Sequence, residues 1–271
     1  MTFDLPAYLA RIALPARPTI DRDGLFAVQR AHRLAIPFEN LDIALGRGIA
    51  IDGDSVFAKL VTRRRGGYCF EQNRLFRDAL AALGFDARPL LARTWLLAKD
   101  TPPQTHTVNL VTIAGQEWLA DAGFGGSYSP PMPLADGAEA TAPDGARFRL
   151  ARDEEWGWML WRAGDPLATD GRTAGEDWER QYSFTTAAIA EADLALANHW
   201  TSTAPGTRFT THRIVGIALP TGYASLTDRH YRRRTATDSA EAEITDPRVY
   251  RLRLSLVFGI DLTADEVAAI F

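Results

Sequence analysis

The stretch Arg63-Arg-Arg-Gly-Gly-Tyr-Cys-Phe-Glu-Gln-Asn73 places the only cysteine of the 271-residue chain directly after a pair of glycines. Two adjacent glycines let the backbone turn tightly and come close to a ligand. Apolar residues then recur at helical spacing as far as Gly84, and glycine commonly ends helices. We therefore predict a helix that begins at or near Cys69 and ends at Gly84.

The first turn of a helix is a suitable place for a nucleophilic cysteine. Its unpaired N–H groups and the positive end of the helix dipole stabilise an anion. A free thiol has a pKa of about 8.5, and this position beside a base can lower it by several units. The alternative is that Cys69 is a small buried hydrophobic residue, as lone cysteines often are. The preceding glycines and the following Glu71-Gln-Asn73 favour the nucleophile.

The three arginines before the glycines are open to two structural interpretations. They can form a solvated face, or one of them can pair with Glu71 and hold the loop in place. We favour a structural role for Arg63 to Arg65 and assign them no contact with substrate.

A cysteine nucleophile requires a general base, and the base requires a group that holds its tautomer. The chain has five histidines. His106 begins a segment of strand-forming residues directly after Pro102-Pro103, which predicts a position at the edge of a cleft. The other four lie in predicted helices or in the polar C-terminal part, and we interpret them as surface or hydrogen-bonded structural residues: His32, His199, His212 and His230.

Asp121 is the candidate that orients the base. It ends the short apolar strand Trp118-Leu-Ala-Asp121 and is followed by three glycines within five residues. Taken alone, it could equally be a residue that begins a turn. A two-residue turn at Gly115-Gln116 would set Asp121 opposite Leu110, four residues from His106. The spacing therefore does not prove a triad, and we predict a bulge or a shifted register in this hairpin.

The remainder of the chain reads as helices first and strands after, an α+β fold without internal repeats. Pro130 to Gly145 is predicted as a loop, and Thr263 with Glu266 predicts a capping box on a short last helix. Further helices are predicted over 5–14, from Asp21 onward, from Asp54 or Ser55 to Val61 and over 186–200. Further strands are predicted over 89–97, 105–113, 148–161 and 181–184, with a strand meander over 209–258.

Composition excludes several classes of function. Apolar residues make up 46% and charged residues 24% of the chain, as in ordinary globular proteins. The sequence contains no run of eighteen apolar residues, so no membrane helix is predicted, and the N-terminus does not resemble a secretory signal. One cysteine excludes an internal disulfide and a thiolate-rich zinc site and fits a reducing cytoplasm. The net charge of −4 gives no electrostatic reason to expect nucleic acid as a partner.

Five segments, in this order, resemble motifs of the arylamine N-acetyltransferase family. The segment around Cys69 resembles the active-site motif and is highly specific. The resemblance runs nearly from end to end of the chain. The segments are Ile36-Pro-Phe-Glu-Asn-Leu-Asp42, Arg65-Gly-Gly-Tyr-Cys-Phe-Glu-Gln-Asn73, Thr105-His-Thr-Val-Asn-Leu110, Asp121-Ala-Gly-Phe-Gly-Gly126 and Asn198-His-Trp-Thr-Ser-Thr-Ala-Pro-Gly-Thr-Arg-Phe209.

This resemblance implies a fold and a division of the chain. The fold would be an N-terminal helical bundle, a central β-barrel and a C-terminal α/β lid, with a catalytic core of the papain and transglutaminase type. Residues 1–84 would form the bundle that carries the nucleophile, and residues 85–185 the barrel that carries the histidine and the aspartate. Residues 186–271 would form a linker helix and the lid.

The resemblance also implies an activity. The chain would acetylate arylamines and arylhydrazines from acetyl-CoA by a ping-pong mechanism, in xenobiotic metabolism in the cytoplasm, without a metal. The implied catalytic triad is Cys69, His106 and Asp121, as reached above from the residues. The positions implied to line the acetyl-CoA and amine pocket are Thr105, Phe124, Gly125 and Gly126.

Three alternatives stay open at this point. A cysteine hydrolase could use the same triad with water as the acceptor. An amide synthase of the same family could release a thioester-bound chain by forming a macrolactam. A binding module could retain the fold without catalysis, but the presence of all three catalytic residue types argues against that. The amine, the length of the acyl chain and the oligomeric state are not predicted.

Overall fold

The computed structural model describes residues 2–165, 169, 175–235 and 237–271. Helices dominate the first part of the chain and strands the second, so the predicted α+β class is confirmed. None of the described helices is both long and apolar enough to cross a membrane. The helices of the first part are α1 Leu5–Arg11, α2 Arg22–Ala35, α3 Leu41–Ala44, α4 Gly53–Phe57 and α5 Cys69–Leu83.

The ends of these helices follow from short polar residues and glycine. Asp21 caps α2 by accepting a hydrogen bond from Gly24 N at 2.8 Å, as predicted. Helix α4 begins earlier than predicted because Asp52, and not Asp54 or Ser55, is its cap. A π-helical turn over Ala58–Thr62 continues it. Helix α5 has the predicted limits, with Gly84 in the left-handed conformation at its end.

The central part is an eight-stranded antiparallel sheet with the strand order β5-β4-β3-β2-β9-β8-β7-β6. Its two outer strands, β5 and β6, contact each other, so the sheet is a nearly closed barrel. Its strands are β2 Asp86–Thr94, β3 Gln104–Ile113, β4 Gln116–Ala120, β5 Met132–Pro133, β6 Ala138–Thr141, β7 Arg147–Asp153, β8 Gly157–Gly164 and β9 Gly175–Phe184.

The prediction of a loop over Pro130 to Gly145 is wrong in part, because β5 and β6 lie within it. Both are short outer strands of the barrel. Pro133 is tolerated in β5 since an outer strand does not need every N–H for pairing. Strand β6 is recognisable only through its pairing with β7, because two of its four residues are alanine.

The third part combines helices with a five-stranded sheet of order β1-β10-β11-β12-β13. Strand β1, Phe38–Glu39, comes from the N-terminal part and pairs with β10. The first and last parts of the chain therefore share one sheet, and the domain limits at 84 and 185 stay a prediction. The remaining elements are α6 Glu191–Thr203, α7 Arg208–Thr211, β10 Ile214–Leu219, β11 Gly222–Thr227, β12 His230–Thr235, β13 Ser239–Glu243, α8 Pro247–Phe258 and α9 Ala264–Ile270.

The predicted meander over 209–258 is correct for β10 to β13 and wrong for α7 and α8. Helix α8 has Pro247 in its first turn and Asp246 as its cap. Its buried residues Tyr250, Leu254 and Phe258 recur every four residues and pack in the core of this part. The predicted capping box of Thr263 and Glu266 on α9 is confirmed.

Candidate active site

The two glycines before Cys69 are required by close packing. A Cβ atom on Gly66 would lie 2.2 Å from the carbonyl oxygen of Pro37, and one on Gly67 would lie 2.8 Å from the side chain of Glu71. Glu71 accepts a hydrogen bond from Tyr68 N at 3.1 Å, which ties the turn to the first turn of α5. Cys69 is therefore the first residue of the helix, as the sequence predicts.

Buried charges hold this turn from the other side. Lys59 lies 2.8 Å from Glu71 and 2.9 Å from Asp42. Arg65 lies 2.8 Å from Glu39 and 3.2 Å from Asp42. We call these five residues the charge cluster. A structural role for Arg65 agrees with the sequence interpretation, but its partners are Glu39 and Asp42, whereas Glu71 pairs with Lys59.

Cys69 is buried, and its thiol lies in the wall of a cavity. Its Sγ lies 3.8 Å from the carbonyl oxygen of Thr105, the residue directly before His106. Burial raises the pKa of the Cys69 thiol, and the negative charge of Asp121 raises it further, while the N–H of Phe70 lowers it. The expectation of a lowered pKa therefore does not hold for the thiol by itself.

His106 and Asp121 form a buried pair. Nε2 of His106 and Oδ2 of Asp121 are 2.8 Å apart, and both side chains are almost completely excluded from solvent. The other oxygen, Oδ1, accepts hydrogen bonds from Asn73 at 3.0 Å and from Gly123 N at 2.8 Å. Burial alone would raise the pKa of Asp121, but His106, Asn73 and Gly123 together lower it. The carboxylate is therefore the stable form.

The hairpin of β3 and β4 brings this pair together by a shifted register, the second of the two predicted alternatives, and not by a bulge. Ile113 pairs with Gln116, so the turn is Ala114-Gly115, one residue earlier than predicted. Both turn residues have positive φ, which suits a tight hairpin turn. The register is regular up to Ala120, and Asp121 reaches His106 after the strand has ended. The irregularity that does occur lies between β2 and β3, at Ala92/Arg93.

Aromatic rings enclose His106. The rings of Phe124 and Tyr182 each have their centroids 5.0 Å from the imidazole. Nε2 is occupied by Asp121, and no hydrogen bond of Nδ1 is found among the described residues. Within the described part of the chain, Asp121 is therefore the one hydrogen-bond partner of the imidazole.

The three candidate catalytic residues meet around one cavity of about 480 Å³. Cys69 and His106 line it, and Asp121 lies behind His106. Every position implied for the acetyl-CoA and amine pocket also lines it: Thr105, Phe124, Gly125 and Gly126.

Other residues of the cavity wall come from distant parts of the chain. Phe38 and Phe209 belong to the first and last of the five quoted segments, but no local feature marks them as wall residues. Asn40 joins these segments, because its Nδ2 donates to the carbonyl oxygens of Phe209 at 2.9 Å and His212 at 2.8 Å. Sequence reasoning also missed Trp200 and polar residues of the five-stranded sheet: Ser225, Thr227, His230 and Arg232.

Two of the other histidines, His32 and His212, have structural partners. His32 is buried between Tyr8 and Gln72, at 2.9 and 2.7 Å, and burial lowers its pKa to about 3. His212 lies 2.7 Å from Asp228 at the surface. Among the residues that the structure describes, no group of three or more His, Cys, Asp or Glu side chains is arranged to hold a metal ion.

Comparison with known proteins agrees with this geometry. The chain matches the N-acetyltransferase family model over residues 21–267. It is 37% identical to an arylamine N-acetyltransferase of Mycolicibacterium smegmatis over 97% of this chain and 94% of that protein. It is 30% identical to the proansamycin X synthase of Amycolatopsis mediterranei over 96% of this chain and 98% of that protein.

Solved structures resemble the whole chain. The arylamine N-acetyltransferase of Salmonella typhimurium superposes with a TM-score of 0.90 and 31% identity, covering 100% of this chain and 98% of the other. The Mycobacterium marinum arylamine N-acetyltransferase in complex with CoA superposes with a TM-score of 0.88 and 31% identity, covering 98% of each. The fold inferred from the resemblance is thus confirmed over the full length of the chain.

Proposed function

The chain belongs to the arylamine N-acetyltransferase family, and from this we propose that it transfers an acetyl group from acetyl-CoA to arylamines and arylhydrazines. The route is ping-pong, with the acetyl group held on Cys69 between two half-reactions. The observation that carries the proposal is the buried His106–Asp121 pair beside the cavity that Cys69 lines. We assign the catalytic roles to these three residues.

Cys69 can form a thiolate in this buried site only if its proton moves to a neighbouring group. Burial raises the pKa of the Cys69 thiol, and so does the charge of Asp121. A proton that moves from Cys69 to His106 offsets both effects, because the imidazolium neutralises Asp121 and attracts the thiolate. Transfer of this proton therefore forms the thiolate and the imidazolium together inside the site.

Each half-reaction breaks one bond to the acetyl carbon and forms another. In the first, the Cys69 thiolate attacks the thioester carbonyl, and CoA leaves with the proton of His106. In the second, the amine nitrogen attacks acetyl-Cys69, the S–C bond breaks, and His106 accepts a proton from the amine. The thiolate and the imidazolium are restored. Exchange of one thioester for another is nearly balanced in energy.

The main competing reaction is hydrolysis of acetyl-Cys69. The aromatic rings of Phe38, Phe124 and Phe209 line the cavity, and these rings offer no strong hydrogen-bonding group to a water molecule. An aryl amine can fill the same space and exclude water further. This apolar wall favours an aromatic acceptor over water.

Two glycines in the cavity wall leave room for the acyl donor. Gly125 and Gly126 have positive φ and no side chains, so the narrow pantetheine arm of CoA can lie against their backbone beside Thr105. Arg232 of β12 also lines the cavity and supplies positive charge for phosphate groups, although Glu241 lies 3.3 Å from it. We therefore propose a CoA thioester as the acyl donor.

The cellular setting is also part of the proposal. A cysteine nucleophile must stay reduced, which fits the cytoplasm. The acceptors would be small aromatic amines and hydrazines, as in xenobiotic metabolism, with no part for nucleic acid, a membrane surface or a metal.

A second candidate within the family is amide synthesis on a thioester-bound chain. It is favoured by the 30% identity to proansamycin X synthase over nearly the whole of both chains. The same triad would form the acyl-cysteine, and an amine within the bound chain would release it. The higher identity to an arylamine N-acetyltransferase makes this the less favoured of the two.

Mass spectrometry of the protein with acetyl-CoA tests the proposal. Without an amine, one acetyl group is expected on Cys69, and adding an arylamine should remove it and yield the acetylated amine. Cys69→Ser is the matched control and should lose the adduct. Acetylation at full rate in Cys69→Ser would exclude the scheme, and fast loss of the acetyl group to water would identify a hydrolase.

A further inference from the structure

Asn73 follows Cys69 by one helical turn, so the two side chains lie on the same face of α5. Its amide group is buried and reaches the segment after β4 as well as β3. In the described part of the chain, Asn73 is not among the residues that line the cavity, so its side chain does not contact a molecule bound there. Its role must therefore be exerted through other residues.

Every polar atom of this amide is engaged with the catalytic region. Nδ2 donates to the carbonyl oxygen of Thr107 at 2.6 Å and to Oδ1 of Asp121 at 3.0 Å. Oδ1 accepts from Ala122 N at 3.0 Å and from Nδ2 of Asn109 at 3.3 Å. The side chain of Asn73 thus contacts Thr107 next to His106, the carboxylate of Asp121, and the backbone of Ala122.

We propose that Asn73 is the positioning residue that holds the Asp121 carboxylate, and through it the His106 imidazole, in register with Cys69. The proposal rests on the acetyl transfer proposed above and assigns it a further residue. Asp121 has two donors on Oδ1, Asn73 and Gly123 N, and loss of Asn73 leaves Gly123 N alone to oppose rotation of the carboxylate away from Nε2 of His106.

The packing of Gly123 supports this assignment. A Cβ atom on Gly123 would lie 2.6 Å from Nδ2 of Asn73 and 2.9 Å from the backbone of Cys69. The segment that carries Asp121 is therefore pressed against α5 at the point where Asn73 lies. A donor of this length and direction is needed there, and a carboxylate in the same place would face Asp121 with the same charge.

Two variants test the proposal. Asn73→Ala removes the donor, whereas Asn73→Asp keeps the shape and the acceptor but replaces the donor with a negative charge. The matched control is Gln72→Ala on the same helix, because Gln72 is equally buried and bonds only to His32, Pro37 and Gly67 in the described part of the chain. Thermal unfolding of all three is measured to verify that they fold.

The decisive measurement is the pH dependence of Cys69 alkylation by iodoacetamide, which needs no acetyl donor. Weaker support for the imidazolium should move the midpoint upward by about one pH unit in Asn73→Ala. The rate of Cys69 acetylation at pH 7 should fall about tenfold or more, with a smaller change in KM for acetyl-CoA. Asn73→Asp should be worse than Asn73→Ala, although its shape is closer to the native residue.

A role in packing alone predicts the opposite order, with Asn73→Asp nearer to wild type. The proposal is overturned if folded Asn73→Ala has the midpoint of wild type and of Gln72→Ala. If Asn73→Asp does not fold, the alanine variant decides by itself. Absence of acetylation in the wild-type protein would instead contradict the proposed function and leave the alkylation result to be judged separately.

Discussion

Both carboxylate oxygens of Asp121 accept hydrogen bonds. Oδ2 is paired with His106, whereas Oδ1 accepts from Asn73 and Gly123 N. The partner of Nε2 determines the tautomer of the imidazole and stabilises its protonated form. A neutral amide in this position could donate to the imidazole and would favour the wrong tautomer. In the acetyl transfer proposed above, Oδ2 of Asp121 therefore determines whether His106 can accept the proton of Cys69.

Asp121→Asn should keep the fold and lower the rate of Cys69 acetylation by about 100-fold or more. The exposed pair His212–Asp228, 2.7 Å apart and away from the cavity, provides the matched control Asp228→Asn. That control should retain nearly full activity. The rates are measured by CoA release in a single turnover. A rate within a factor of three of wild type for Asp121→Asn would contradict the assigned role.

The reactivity of Cys69 should depend on pH through His106. Because burial raises the pKa of the thiol, a thiol without a proton acceptor gains reactivity only as the pH rises toward that high pKa. Wild type should therefore react with iodoacetamide at neutral pH. His106→Gln should react slowly at pH 7 and gain about tenfold per pH unit in alkaline solution. Equal rates for the two proteins at pH 7 would show that no coupled ionisation occurs.

The charge cluster contacts the glycine turn and the first residues of α5, and it has no part in the proposed reaction. Lys59 stays charged although burial lowers its pKa, because Glu39, Glu71 and Asp42 together raise it above the usual value. Burial raises the pKa of Glu71 to about 7, with Lys59 opposing. The two cations of the charge cluster face three carboxylates, so the start of α5 depends on both cations staying charged.

Lys59→Met should lower the free energy of unfolding by about 3–5 kcal/mol, since it leaves the buried Glu71 carboxylate without its ion-pair partner. The chain has one other lysine, Lys99, which is exposed. Lys99→Met is therefore the control and should change stability by less than about 0.5 kcal/mol. Urea unfolding measures both. Equal stability of the two variants would show that the charge cluster does not support α5.

Glu71 also predicts how stability depends on pH. Its pKa in the folded protein is raised above the unfolded value of about 4.3, so the folded state binds the proton more tightly. The contribution of Glu71 is fully present below about pH 4.3 and is lost as the pH rises through about 7. Unfolding in urea at a series of pH values should show this slope in wild type and a weaker slope in Glu71→Gln.

The cavity is a property of the whole molecule. Its wall contains Cys69 of the helical part, His106 of the barrel and Arg232 of the five-stranded sheet. Strand β1 binds the first part to the last, and Asn40 joins the segment of Phe209 to it. A ligand that fills the cavity therefore contacts all three parts and opposes their separation.

CoA should raise the melting temperature of the whole chain in one transition. At about 100 times its dissociation constant it contributes about 2.7 kcal/mol, which corresponds to roughly 5 °C or more for a chain of this size. Cys69→Ala removes covalent chemistry from the measurement and should show a similar shift. Adenosine, which lacks the pantetheine arm, is the control ligand. No shift with saturating CoA in either protein would contradict the proposed donor.

The sequence by itself determined the features that depend on neighbouring residues. Caps such as Asp21, the glycine end of α5 and the capping box at Thr263 follow from hydrogen bonds between residues at most a few positions apart. The α+β order, the nucleophile at the start of a helix and the choice of His106 and Asp121 could be predicted in the same way. The turn between β3 and β4 was predicted one residue too late, and α8 was predicted as a strand. Local patterns were ambiguous at these two places.

The tertiary structure alone decided how the distant parts meet. That Asp121 reaches His106 after leaving its strand depends on the packing of Gly123 against Cys69, which no spacing reveals. The raised pKa of the thiol comes from burial, and part of the cavity wall comes from β10 to β12, more than a hundred residues away from Cys69. Burial and long-range contact arise only when the chain folds back on itself, so they are not encoded at any one place in the sequence.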